Sequence, residues 1–97
     1  MEISVIIQAI RQYAGGRKHL KIQSNIIDRV AELDESKLSR GEFVKGRIEI
    51  TAGEVGKSMG LANRLPAIVG ALGRIATELE GCSIRGKNSK TTLLVNF

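Results

Sequence analysis

The chain has 97 residues, of which 42% are apolar and only three are aromatic (Tyr13, Phe43 and Phe97). That is enough for one domain with an aliphatic core of Ile, Leu and Val; it excludes wholesale disorder and argues against a surface that stacks bases on aromatic rings. Fifteen basic against ten acidic side chains leave a net charge of +5, which favours a polyanionic partner.

Residues 2–14 place Ile3, Ile6, Ile7, Ile10 and Tyr13 or Ala14 on one stripe at helical spacing, and this predicts a first helix. Gly15-Gly16 is expected to end it in the left-handed cap conformation. Val5 and Ala9 widen the apolar face, which either packs on the domain or meets a second copy in a homodimer. Arg17-Lys18-His19-Leu20-Lys21 is a basic connector, read as a solvated loop or an arm contacting phosphates. Ser24 suits an N-cap for a helix over 25–33 that buries Ile26, Ile27, Val30 and Leu33. Asp34-Glu35-Ser36 is expected to break that helix. A short helix with Leu38 and Phe43 inward is expected over 36–45, and Gly46-Arg-Ile-Glu-Ile50 alternates as a strand does.

Thr51-Ala-Gly-Glu54 is a capping box. The Thr hydroxyl accepts from the amide three residues on, and the Glu carboxylate reaches back to the Thr51 amide. Val55 and Met59 face the core, Gly60 closes the helix and Leu61 plugs the turn. Pro66 belongs in the first turn of the next helix, where its missing N–H is not needed. Leu65 before it is steered away from helical dihedrals. Ile68, Leu72, Ile75 and Leu79 then repeat at 4-3-4 spacing to about Glu80, and Gly81 ends the run. Cys82 to Arg85 and Thr91 to Phe97 read as the two strands of a hairpin turned at Gly86-Lys-Asn-Ser-Lys90.

The charges are unevenly spread. No acid occurs from Val55 to Thr77 or from Gly81 to Phe97. Residues 51–97 carry six basic and three acidic groups, whereas residues 1–50 carry nine and seven. The positive field is therefore cleanest over the second half.

A capped helix, small Gly56 where two helices cross, apolar Val55 and Met59, Gly60 at the turn and apolar Leu61 together resemble the helix-turn-helix of prokaryotic DNA-binding proteins. With the strand at 46–50 before it and the hairpin after it, residues 46–97 are more similar to the winged-helix family. The resemblance covers about half the chain. It implies a mainly α fold with a small β-hairpin (α+β), in which 1–45 add N-terminal helices to a winged helix-turn-helix within a single domain of 1–97. It also implies duplex DNA as partner and a role as a small transcriptional or replication regulator. The helix from Asn63 or Pro66 to Glu80 would lie in the major groove. Arg85, Lys87, Asn88 and Lys90 would sit on the wing, and Lys57 and Ser58 would touch the backbone.

Helical geometry qualifies that expectation. With Ile68, Leu72, Ile75 and Leu79 inward, Pro66, Gly70, Gly73, Arg74 and Thr77 point outward and Ala67 flanks them. Only Arg74, together with Asn63 and Arg64 at the helix start and weakly Thr77, offers groups that read base edges. Dimerisation, or binding driven by phosphates, would make up for so few contacts.

The competing reading is a protein-interaction module that uses the glycine-faced helix and the apolar N-terminal helix. Catalysis finds no support. His19 lies in a basic run, and Glu32, Asp34, Glu35 and Glu42 lack ligand spacing and read as a solvated acidic face. Gly53-Glu-Val-Gly56-Lys-Ser58 departs from the spacing of a phosphate loop and falls inside a helix. Cys82 is the only cysteine, so no internal disulfide forms, and with one His it makes no structural zinc site. It reads as a half-buried residue at a strand start. No stretch approaches the ~20 apolar residues of a membrane span, and Met1-Glu2-Ile3 lacks a secretory lead-in. These features lead to the expectation of a cytoplasmic protein, nucleoid-associated if prokaryotic, with no cofactor.

Overall fold

The computed structural model describes residues 2–16 and 19–97. Four helices surround one side of a three-stranded antiparallel sheet, so the fold is α+β and mostly helical. In chain order these are α1 (Ile3–Ala14), α2 (Lys21–Ser39), β1 (Arg47–Thr51), α3 (Ala52–Met59), α4 (Leu65–Glu78), β2 (Cys82–Arg85) and β3 (Thr92–Asn96). A single turn of 3-10 helix, Asn88–Lys90, interrupts the β2–β3 connection.

The sheet order is β1-β3-β2. Ile48 pairs with Val95 and Ile50 with Leu93, and on the other side Cys82 pairs with Val95 and Ile84 with Leu93. Alternation puts Ile48, Ile50, Leu93 and Val95 on one face of the sheet. There they join Ile6 and Ile10 of α1, Ile26, Ile27 and Val30 of α2, Val55 of α3, and Ile68, Leu72 and Ile75 of α4 in one buried aliphatic cluster. Burying each such side chain contributes roughly 1.5–3 kcal/mol relative to leaving it exposed.

Several boundaries differ from the sequence expectation, each for a packing reason. Gly15 caps α1 with φ −77°, and Gly16 is also absent from the residues of positive φ, so neither takes the left-handed form. Helix α2 is one continuous element of 19 residues. It begins at Lys21, with Leu20 rather than Ser24 as its cap, because Ile22 already packs against the core one turn before Ile26. It runs through Asp34-Glu35-Ser36 because the buried stripe continues from Ile27 through Val30 and Ala31 to Asp34. Asp34 is therefore fully buried, not part of a solvated acidic face.

Residues 40–46 are a loop into β1, not a helix. Phe43 is 42% exposed and meets Phe97 edge-on at 5.7 Å between ring centres, so it does not point inward. Leu38 does pack against the core. Leu65 is the first helical residue of α4 despite preceding Pro66, and α4 stops at Glu78 because Leu79 is extended (φ −111°, ψ 132°). Gly81, at φ +85°, turns the chain into β2, with Ile6 Cδ1 3.0 Å from where a Cβ would sit.

Candidate nucleic-acid interface

Helix α3 is positioned by its own sequence. The Glu54 amide donates to Thr51 Oγ1 at 3.1 Å, and the Thr51 amide donates to Glu54 Oε2 at 2.9 Å, completing the capping box. The other Glu54 oxygen lies 2.7 Å from Lys37 Nζ of α2, and the same ammonium donates to the Glu49 carbonyl of β1 at 2.8 Å. Lys37 thereby ties α2, β1 and α3 together. It also neutralises the only acid on α3.

The α3–α4 turn follows from two glycines. Gly60 ends α3 in the left-handed region (φ +67°), and the Leu61 amide donates back to Gly56 O at 2.8 Å. Gly56 is buried, and a Cβ there would lie 3.2 Å from Ile68 Cδ1 and 3.4 Å from Ala62 Cα. Its lack of a side chain lets α4 cross close to α3. Pro66 sits in the first turn of α4. Asn63 and Arg64 are exposed on the turn, and Lys57 and Ser58 are exposed on α3.

On α4, Ile68, Ala71, Leu72 and Ile75 are buried, while Pro66, Gly70, Arg74 and Thr77 are exposed and Ala67 is half-buried. Apart from the adjacent residues and the backbone of α4 itself, no atom lies within 4 Å of where a Cβ would stand on Gly70 or Gly73. Neither glycine is explained by helix packing inside the domain. Arg74 stands beside the Tyr13 hydroxyl of α1. Burial pushes that hydroxyl's pKa up, Glu78 adds to the shift and Arg74 opposes it.

The β2–β3 connection folds back onto α3 and α4. The Ala52 amide donates to Thr91 O at 2.8 Å, and a Cβ on Gly53 would lie 3.4 Å from Ser89 O. Gly86 (φ +85°) admits no side chain, since a Cβ would collide with the Lys90 carbonyl. Lys87, Asn88 and Lys90 are exposed on this loop. The loop, α3 and α4 therefore bring Lys57, Lys87, Asn88 and Lys90 to adjoining elements of one region.

Arg85 stands apart from that group. Its guanidinium lies 2.7 Å from Glu49 Oε1, and Arg47 Nε is 3.0 Å from the other oxygen. Hydrogen bonding from Arg47, together with the charge of Arg85, holds the Glu49 carboxyl below its usual range. Arg85 is thus committed across the sheet face. In duplex titrations, Arg85→Ala is expected to change the salt slope less than Lys87→Ala or Lys90→Ala does alone.

The basic connector is only partly placed, because Arg17 and Lys18 lie outside the described residues. His19 is half-buried and edge-on to Tyr13, with ring centres 4.4 Å apart and Nδ1 buried without a partner. It is a packing residue of the α1–α2 junction as much as a surface one. Cys82 is half-buried at the strand start, as expected. Burial and the field of Asp34 push its thiol up to about 12, which leaves it unreactive.

Sequence reasoning overlooked Lys37, Glu49 and Asp34 as determinants of this region. For Asp34 the signal was present: it falls on the 27-30-34-38 stripe of a longer helix. Among the described residues no group of three or more His, Cys, Asp or Glu side chains could hold a metal. No helix there is long and apolar enough to cross a membrane. No family model, curated protein or solved structure matches the chain.

Proposed function

We propose that this protein binds duplex DNA as a winged-helix protein. The observation that carries the reading is the convergence of α3, α4 and the β2–β3 loop on one region that bears Lys57, Lys87 and Lys90. The topology supports it. The order α2-β1-α3-α4-β2-β3, with β3 between β1 and β2, follows the winged-helix plan. Helix α4 is then the groove helix and residues 86–91 are the wing. Glu54 does not oppose a polyanion, because Lys37 neutralises it.

Affinity comes mainly from phosphates, through Lys57, Lys87 and Lys90, with Ser58 and Asn88 as uncharged donors. Base reading rests on Arg74 and on Asn63 and Arg64 at the start of α4, with Thr77 adding little. Pro66, Ala67, Gly70 and Gly73 make a low face that lets the helix approach closely. Doubling these contacts calls for a homodimer. The outer side of α1 offers Ser4, Val5, Gln8 and Gln12, all exposed and uncharged, so a contact through these residues sets no like charges directly against each other.

The test is a mobility-shift titration against duplex DNA at two salt concentrations, with the mass in solution measured alongside. Tight binding that weakens steeply with salt is expected. Absence of any shift at low salt would falsify the reading. The second reading, a protein-interaction module, is favoured by exposed Phe43, Val44 and Phe97 clustered at one end of the sheet. A stoichiometric protein partner that survives nuclease, with no duplex binding, would select it.

A further inference from the structure

Asp34 is the only ionisable side chain among the described residues that is fully withdrawn from solvent. Neither of its carboxyl oxygens has a hydrogen-bond partner there. An ionised carboxylate in such a place is strongly disfavoured unless a cation meets it. The nearest candidate is Lys37, one turn further along α2 on the same side. Its ammonium is already held between Glu54 Oε1 and the Glu49 carbonyl. Two acids thus depend on one ammonium, and one of them, Glu54, caps α3.

Among the described residues, the other charged groups on elements packed against α2 are committed elsewhere. Arg11 of α1 is committed to Glu35 at 2.7 Å and to Asp28 at 3.6 Å. Glu49 of β1 is held by Arg47 and Arg85. Arg74 and Glu78 of α4 flank Tyr13. Cys82 of β2 is a neutral thiol.

We propose that Asp34 keeps its proton in the folded protein at neutral pH, and that its ionisation draws Lys37 away from Glu54 and loosens the cap of α3. This makes a proton switch on the first helix of the DNA-binding pair. Its consequence for DNA rests on the function proposed above; the switch itself does not.

The electrostatics agree in direction. Burial raises the Asp34 carboxyl from 3.8 to about 8, with Lys37 opposing the shift and Glu54 adding to it. Between those values the folded chain holds a proton that the unfolded chain has released. Stability from this group is therefore complete below the lower value and falls as pH rises towards the upper one. The folding equilibrium weakens by up to about tenfold per pH unit within that window. The handover of Lys37 follows only at the upper end, where the folded carboxyl itself ionises.

The test is an NMR titration of the whole chain from pH 5 to 10, following the Asp34 carboxyl carbon and the Glu54 amide, in wild type and in Asp34→Asn. In wild type the Asp34 signal is expected to titrate near 8, and the Glu54 amide shift is expected to follow with the same midpoint. In Asp34→Asn the Glu54 amide stays flat through that range, and the melting temperature no longer falls between pH 5 and 8. Duplex affinity should drop at least threefold between pH 7 and 9.5 in wild type and hold in the variant. Titration of Asp34 in the ordinary carboxylate range overturns the proposal, as does a Glu54 amide that ignores it. The wild-type titration decides these points even where the variant does not fold. Loss of duplex binding at every pH overturns the DNA reading alone.

Discussion

Replacing Lys57, Lys87 and Lys90 together by Ala is expected to lower duplex affinity by about two to three orders of magnitude at 0.1 M salt. Each phosphate contact releases close to one counterion, so three contacts should reduce the slope of log K against log salt by about 2.7. Fluorescence anisotropy at four salt concentrations gives both quantities. All three side chains are exposed, and among the described residues none is paired with a carboxylate. The melting temperature should therefore hardly move. An unchanged slope with unchanged affinity would mean that these lysines make no phosphate contacts, and would move the interface away from α3 and the wing.

Substitutions at Gly70 should have opposite effects on stability and on binding. The position is helical and exposed, with nothing outside its own helix within 4 Å of an added Cβ. Gly70→Ala should stabilise the free protein by about 1 kcal/mol, because alanine relieves the entropy cost of glycine in a helix. Gly70→Glu should also fold at least as well as wild type, since glutamate is the better helix former. Yet it places a carboxylate on the face assigned to the groove. Setting like charges against each other costs several kcal/mol, and each 1.4 kcal/mol is about tenfold in affinity. Duplex binding by Gly70→Glu should therefore fall by about two orders of magnitude. Thermal melting and anisotropy on the same samples separate the two effects. A variant that melts higher and binds DNA unchanged would take α4 out of the interface.

The parts of the molecule that were legible in the sequence are those whose causes are local. The Thr51–Glu54 box has both partners within four residues, and Gly60 and Pro66 act on their own dihedrals. The α4 stripe was also readable, because helical geometry alone determines which residues share a face. Pro66, Gly70, Arg74 and Thr77 are accordingly exposed, as expected, whereas Gly73 is half-buried. Where the cause is distant, the sequence misleads. Arg85 reads as a wing cation until Glu49, 36 residues away, is found to hold it. Asp34-Glu35-Ser36 reads as a helix break because polar residues favour turns. The helix persists because Asp34 falls on the buried stripe and Lys37 is anchored by β1 and α3. Phe43 reads as core by hydrophobicity alone, yet its neighbour is Phe97, more than fifty residues on, at the rim of the sheet.

The order β1-β3-β2 has a consequence for how the protein comes into being. The strand that both others need as a neighbour is the last of the three along the chain. As the polypeptide emerges from a ribosome, α1 and α2 can pair early, since they are close in sequence. Ile48 and Ile50 must wait for Val95 and Leu93, more than forty residues later. Until then β1 has unpaired backbone, and Ile48 and Ile50 lack their neighbours on β3. Such non-local pairing slows folding and lengthens the time in which the nascent chain is exposed to aggregation. The helical pair is the part suited to fold first, and the sheet can lock the domain only when synthesis has passed Asn96.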